Sequence, residues 1–324
     1  MDRKNYNIVP VPEKSQRKLK RNLKQPRSPA RPEANEAEAA GEVVGLRGIE
    51  LLREERLVLA DLDLSIRRGQ HWVLLGPNGS GKSSLLGMLQ GLLWPQEGEI
   101  RVLGNLFGAS DLSEMRRVIG WVGNEIEPEF PAWQTVEEIV WSGGVGTVGL
   151  RFDQPTVADR AHARTLLRAA GIAHLAKRRF AFLSQGQRRM ATIVRALMVK
   201  PGLLILDEPA AGLDPVAREG FLARLGKLMR DPAGPCILFV THHVEEIIPQ
   251  FTHVLMLKQG RAVDFGKIGE CLTEGNLGKV FGRAVTLVKS GGRYRLRLRA
   301  GSASKLHSVW RRASGVGRKK PKKA

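Results

Sequence analysis

Cysteine is scarce in this chain, long apolar runs are missing, and one end has no acid at all. Only Cys236 and Cys271 occur among 324 residues. Two thiols make no disulfide framework, and they suit a reducing cytosol. No run of about eighteen apolar residues exists to cross a bilayer as a helix. The opening MDRKNYNIVPVPEKSQRKLKRNLK lacks the apolar core of a secretory signal. No internal repeat is seen at a period of about 20–50 residues, which excludes solenoids and propellers. Residues 283–324 hold fourteen Lys/Arg and no Asp or Glu.

That last shortage locates the net charge of +20. Residues 1–32 carry ten Lys/Arg against Asp2 and Glu13, for +8, and residues 283–324 carry +14, which leaves −2 for the middle. The basicity therefore belongs to the two ends. Residues 1–42 are rich in Pro, Lys, Arg, Glu and Ala, a composition expected to be disordered. The last stretch, GVGRKKPKKA, reads as a basic tail. It is either a solubilising or loosely membrane-attracted tail, or a binder of nucleic-acid phosphates.

Between these ends, VVGLRGIEL and RLVLADLDLSI read as strands, the second alternating from Leu59 to Ile66. HWVLLG suits a buried strand, followed by a glycine-rich loop and the helical pattern SSLLGMLQGLL. From about 125 to 183, helix-like stretches at Val136–Trp141 and Val157–Ala170 flank the glycine-rich SGGVGTVGLRF, a mostly helical insertion. Strand patterns return in LLILDEP and CILFVTH. THVLMLKQGRAVDFG reads as a hairpin turning at Gln259-Gly260, and RYRLRLRA as a one-sided strand. Strands alternating with helices predict an α/β fold with a mainly parallel sheet.

The sharpest motif is GPNGSGKS, Gly76 to Ser83. It fits the phosphate loop G-x-x-x-x-G-K-[ST] and lies between a strand and a helix, as that loop requires. Glycines let backbone N–H groups turn toward phosphate oxygens, and the helix end adds positive potential. Lys82 is expected to reach the β- and γ-phosphates, with Ser83 as a Mg²⁺ ligand. The absence of G-x-G-x-x-G spacing argues against a dinucleotide. Asp207 ends the strand LLILD, where its carboxylate can hold Mg²⁺ through water, and Glu208 beside it can deprotonate an attacking water. His242 follows the strand CILFVT and could touch the γ-phosphate, with His243 as its competitor. FLSQGQRRMA, Phe182 to Ala191, resembles half of an anion site with no acid or base of its own.

GPNGSGKSS, LSQGQ, LLILDEP, AAGLD and VTHH, in this order, resemble the ATP-binding cassette (ABC) ATPase family over residues 43–285. The resemblance implies a P-loop NTPase of the ABC type, with an antiparallel β subdomain and a helical subdomain at about 125–183; residues 286–324 form a basic extension. It implies ATP and Mg²⁺ as cofactors. ATP is held by Gly76, Pro77, Asn78, Gly79, Ser80, Gly81, Lys82, Ser83 and Ser84. LSQGQ becomes the signature loop, whose Ser184, Gly186 and Gln187 face an ATP on a partner's P-loop. Asp214, ending AAGLD, lies at the dimer interface, and His242 is favoured over His243. Three positions depart from the family pattern. Gln185 stands where a glycine is usual, Asn124 stands where a Mg²⁺-contacting Gln is usual, and Arg53 stands near where an aromatic usually stacks on adenine.

The expected function is the ATP-hydrolysing subunit that energises a membrane transporter through ATP-driven dimer closure, with Lys82, Glu208 and His242 as catalytic residues. Its partners would be a second ABC ATPase subunit, in a homodimer, and a separate membrane-spanning permease docked on the helical insertion and on residues 124–130. That places it in the cytoplasm, peripheral on the inner face of the cell membrane. The alternative is a soluble ABC ATPase acting on a ribosome or nucleic acid through its basic tails. Against that, the chain carries one cassette, and no coiled coil separates Lys82 from Ser184.

Overall fold

In a computed structural model, the structure describes residues 41–53, 56–108, 118–123, 130–150 and 154–299. Two sheets organise them. The first is antiparallel and four-stranded, in the order β2-β1-β4-β5. Its strands are β1 (Glu42–Arg53), β2 (Arg56–Arg67), β4 (Glu97–Val102) and β5 (Asn105–Leu106). The alternation read in β2 is observed: Leu62, Leu64 and Ile66 are buried, while Asp61, Asp63 and Ser65 face solvent. Register shifts at Ile49, Leu51 and Leu52 bend β1 against β2 toward the pair Arg53–Arg56.

The second sheet has six strands in the order β10-β9-β3-β8-β7-β6. They are β3 (Trp72–Leu75), β6 (Ile119–Val122), β7 (Leu203–Asp207), β8 (Cys236–Thr241), β9 (His253–Lys258) and β10 (Arg261–Lys267). All pairs are parallel except β9–β10, whose hairpin turns at Gln259 (φ 47°) and Gly260 (φ 77°). Strands of a parallel sheet are covered on both faces, and these obey that rule residue by residue. Val73, Leu75, Leu204, Leu206 and Phe239 enter one core, and Trp72, Leu74, Leu203, Ile205 and Leu238 the other. The first core also holds most of the helices; the second takes the helix Lys82–Leu89 and joins this sheet to the antiparallel one.

The described helices are α1 (Lys82–Leu89), α2 (Val136–Gly144), α3 (Val157–Ala169), α4 (Gln185–Leu197), α5 (Pro215–Leu228), α6 (Ile268–Cys271) and α7 (Glu274–Phe281). Capping boxes start α2 at Thr135 and α3 at Thr156. Helix α2 runs three residues beyond the sequence expectation, through Ser142-Gly143-Gly144. Ser142 Oγ donates to the Ile139 carbonyl, and Gly143 has no Cβ to collide with the Arg195 carbonyl of α4. The glycines belong to a close helix crossing, so they did not end the helix.

Beyond α7, β11 (Val285–Ser290) and β12 (Arg293–Leu298) form an antiparallel hairpin. Val285 and Tyr294 join the first core, and Leu287 and Leu296 pack on it, so packed structure continues past residue 285.

Candidate functional site

The carboxyl ends of β3, β7 and β8 converge on the loop Gly76–Gly81, which opens α1. A cleft of about 640 Å³ lies there, lined by the loop, by Ser83 and Ser84, and by Asp207 and Glu208. The backbone of the loop is set by glycine. Gly79 (φ 76°) and Gly81 (φ 105°) take left-handed conformations that other residues resist. A Cβ on Gly76 would sit 2.5 Å from the Leu257 carbonyl oxygen and 2.6 Å from Ser80 Oγ. The loop is also fastened from outside: Gly260 N–H donates to the Ser80 carbonyl at 3.0 Å, and Ala60 N–H donates to the Gly260 carbonyl at 2.9 Å.

Two observations test whether these residues suit a polyphosphate. Lys82 is 6% exposed, and its Nζ donates to the Gly76 and Pro77 carbonyls at 2.8 and 3.1 Å. Burial lowers its pKa, while the nearby carboxylates Glu208 and Asp207 act to raise it. Ser80 Oγ is buried without a hydrogen-bond partner. A buried amine held only by carbonyls and an unpaired buried hydroxyl both gain from an anion in the cleft. The residues fit a triphosphate, and Ser83 and Asp207 line the same cleft. Among the described residues no cluster of three or more His, Cys, Asp or Glu could hold a metal.

Glu208 follows β7 with φ 46°, a left-handed value that is uncommon for a residue with a side chain. Its N–H donates to the Val240 carbonyl of β8 at 3.1 Å. This twist turns the carboxylate toward His242, whose Nδ1 lies 3.0 Å from Glu208 Oε1. Nε2 remains as the ring's other polar atom for substrate. His243 is exposed, its ring centroid 4.1 Å from that of His242. The histidine that meets the acid is therefore His242.

Behind the pair lies a clasp that the sequence reading missed. Thr241 Oγ1 donates to Glu246 Oε2 at 2.5 Å and accepts the His243 N–H at 3.0 Å. Glu246 is 2% exposed, and burial raises its pKa against the pull of Thr241, His243 and Arg218. The available signal was a Thr and a Glu flanking the two histidines.

Several expected ligands lie elsewhere. Ser184, Gly186, Gln187 and Asp214 do not line the cleft. Ser184 is exposed at the start of α4 and forms a capping box with Gln187, whose Oε1 accepts the Ser184 N–H at 3.0 Å. The Gln187 side chain thus serves its own helix, because an open helix N-terminus needs acceptors. Asp214 Oδ1 likewise caps α5, accepting from Val216 and Ala217 N–H at 2.8 and 2.9 Å. Gln185 lies beside Gly212, where a Cβ would be 3.0 Å from its Nε2. Arg53 sits at the β1–β2 turn, exposed and off the cleft, which Val58 lines instead. Asn124 and the docking stretch through residue 129 lie outside the described residues, as do both basic tails.

Comparison with known proteins gives a consistent result. Residues 59–211 match the ABC transporter family. The ABC transporter ATP-binding protein YlmA of Bacillus subtilis is 40% identical over 240 residues, spanning 74% of this chain and 90% of that protein. The structure of cbiO1 from Clostridium perfringens, part of the ABC transporter complex cbiONQ, matches with a TM-score of 0.65 at 26% identity. That match covers 74% of this chain and 94% of cbiO1. The dimeric post-hydrolysis structure of the cassette MJ0796, bound to ADP and Pi, matches with a TM-score of 0.57 at 26% identity, over 69% and 98% of the two chains.

Proposed function

The chain belongs to the ABC transporter family as an ATP-hydrolysing cassette, and from that premise we propose that two copies, head to tail, energise a separate membrane-spanning permease. The observation that carries this is the division of the site. Lys82, Ser83, Asp207, Glu208 and His242 gather around one cleft, whereas Ser184, exposed, and Gly186, half-buried, lie off it. Each cleft then takes its second wall from the other copy.

In that pair, Lys82 and the Gly76–Gly81 backbone hold the triphosphate of ATP. Ser83 and Asp207 would hold Mg²⁺, whose charge would offset that of the triphosphate. Ser184 and Gly186 of the other copy close over the γ-phosphate at the N-terminus of α4. Glu208 takes the proton of the attacking water, and His242 keeps that carboxylate aimed. Loss of the γ-phosphate removes the contact that joins the copies, and the pair reopens. ATP thus biases a two-state assembly whose motion a permease can receive. Among the described residues no helix is long and apolar enough to cross a membrane. We take the permease to be a second polypeptide, with this subunit on the inner face of the membrane. The names of the relatives support transport and lend nothing to the ribosome or nucleic-acid reading.

Complementation tests the shared site. Lys82→Ala breaks one wall and Ser184→Ala the other, so each variant alone should be nearly inactive. A mixed pair rebuilds one intact site, and mixing should restore turnover well above either parent. A mixture no more active than its components would sink the arrangement. Purification of the tagged chain from membranes, with identification of what accompanies it, tests the permease.

A further inference from the structure

The β11–β12 hairpin belongs to none of the family motifs, yet it grips two elements that lead to the site. Arg293 Nη1 donates to Glu219 Oε2 at 2.6 Å, and Nη2 donates to Glu219 Oε1 at 3.0 Å. Nη2 also donates to the Glu245 carbonyl at 2.6 Å. Glu245 is held a second time, its Oε1 accepting the Leu296 N–H at 3.1 Å. The hairpin is itself anchored: Tyr294 is 9% exposed, and a Cβ on Gly292 would lie 2.9 Å from Pro249 Cγ. A planar guanidinium fork bonded on both prongs fixes angle as well as distance.

Each gripped element carries site residues. Glu219 lies on α5, just over one turn from its cap Asp214, the residue expected at the dimer interface. Glu245 belongs to the 3-10 turn Val244–Glu246, whose Glu246 clasps Thr241 immediately before His242. Arg218 of α5 acts electrostatically on the same Glu246. One side chain therefore sets the spacing between the interface loop and the loop that aims Glu208.

We infer that Arg293 is a positioning residue for ATP hydrolysis, the pin of a brace that holds the Asp214 and His242 loops in register. This rests on the shared-site reading above and names a further part of it. The ATP-binding wall, made by Lys82 and the Gly76–Gly81 loop, lies outside the brace. The brace should thus govern kcat and leave ATP binding alone.

The experiment uses the full chain with Mg²⁺ and ATP. Arg293→Ala should lower kcat by roughly ten- to a hundredfold, the scale of a small misplacement of reacting groups, with KM for ATP held within about twofold. Partly exposed ion pairs add little stability, so the melting temperature should barely move. Arg293→Lys keeps the charge and one donor and should recover part of kcat. Glu219→Gln should give a smaller loss of the same kind, and it carries the test if Arg293→Ala proves poorly folded. Wild-type kcat in both variants would overturn the brace. So would a KM that rises in step with the fall in kcat, or absence of any rescue by Lys. Glu208→Gln run alongside separates the two failures: turnover within about tenfold of wild type there sinks the site reading itself, whereas a Glu208→Gln slowed by about a hundredfold or more beside a wild-type-like Arg293→Ala sinks only the brace.

Discussion

Replacing Glu208 with Gln removes a base and leaves almost everything else in place. The amide has the volume of the carboxylate and can still meet His242 Nδ1, now 3.0 Å from Glu208 Oε1. It inherits the same φ of 46°, so the local strain is unchanged between the two proteins. The melting temperature should therefore shift by less than about 2 °C. A positioned general base contributes about 10²–10⁴ in rate, or about 2.7–5.4 kcal/mol of barrier. Phosphate release at saturating ATP should drop by that factor. With Lys82 and the loop intact, ATP still binds but no longer leaves as ADP, so light scattering should report a stable pair. Turnover within about tenfold of wild type would refute the assignment of Glu208 as the base. A variant that stayed monomeric at saturating ATP would refute ATP-driven pairing.

Three other perturbations check other parts of the structure. Arg53→Ala should leave the KM for ATP within about twofold, whereas Val58→Asp, which puts a charge on the cleft wall, should raise it about tenfold; steady-state kinetics decide, and the reverse order would restore Arg53 as the base-contacting residue. His71 Nε2 lies 3.2 Å from the Met229 carbonyl and Nδ1 lies 3.3 Å from the Ile237 nitrogen, and burial lowers its pKa against the pull of the Met229 bond. A histidine whose folded pKa is depressed gives stability that is full above its unfolded value, about 6.5, and is lost as pH falls from there through the lower folded value. Melting temperatures should decline over that interval, and His71→Gln should flatten the decline. Gly143→Ala would drive a Cβ into the Arg195 carbonyl oxygen. Overpacking of that kind costs about 1–3 kcal/mol, a melting-point loss of roughly 2–4 °C per kcal/mol that differential scanning fluorimetry resolves.

How much of this was legible in the sequence depends on whether the cause was local. The phosphate loop, the Gln259-Gly260 hairpin and the strand ends at Asp207 and His242 all follow from short-range rules of turn, period and spacing. The Glu208–His242 contact does not, because it spans 34 positions and depends on β7 and β8 being neighbours with Asp207 opposite Val240. Arg53 was expected near adenine from the resemblance alone, and no local rule says that Val58, five residues on, lines the cleft. Gln187 and Asp214 were expected at a partner's ATP or the dimer interface because their motifs named them, and no local rule announced that their side chains also cap helices. The Arg293 brace joins residues 74 apart, so no window of sequence contained it.

The Gly260 turn has a mechanical consequence. It is hydrogen-bonded to Ala60 of the antiparallel sheet and to Ser80 of the phosphate loop, and its missing side chain leaves room for the Val58 carbonyl. Three structural layers meet at one residue, and the loop that grips phosphate inherits their combined stiffness. Among the described residues, the hydrogen bonds of Ser184, at the exposed helix start proposed as the opposing wall, stay within its own helix. A vice with one fixed jaw delivers its whole stroke through the other. The travel that ATP sets in motion should therefore appear in α2, α3 and α4, the helices carrying the signature wall, and scarcely at all in the sheet.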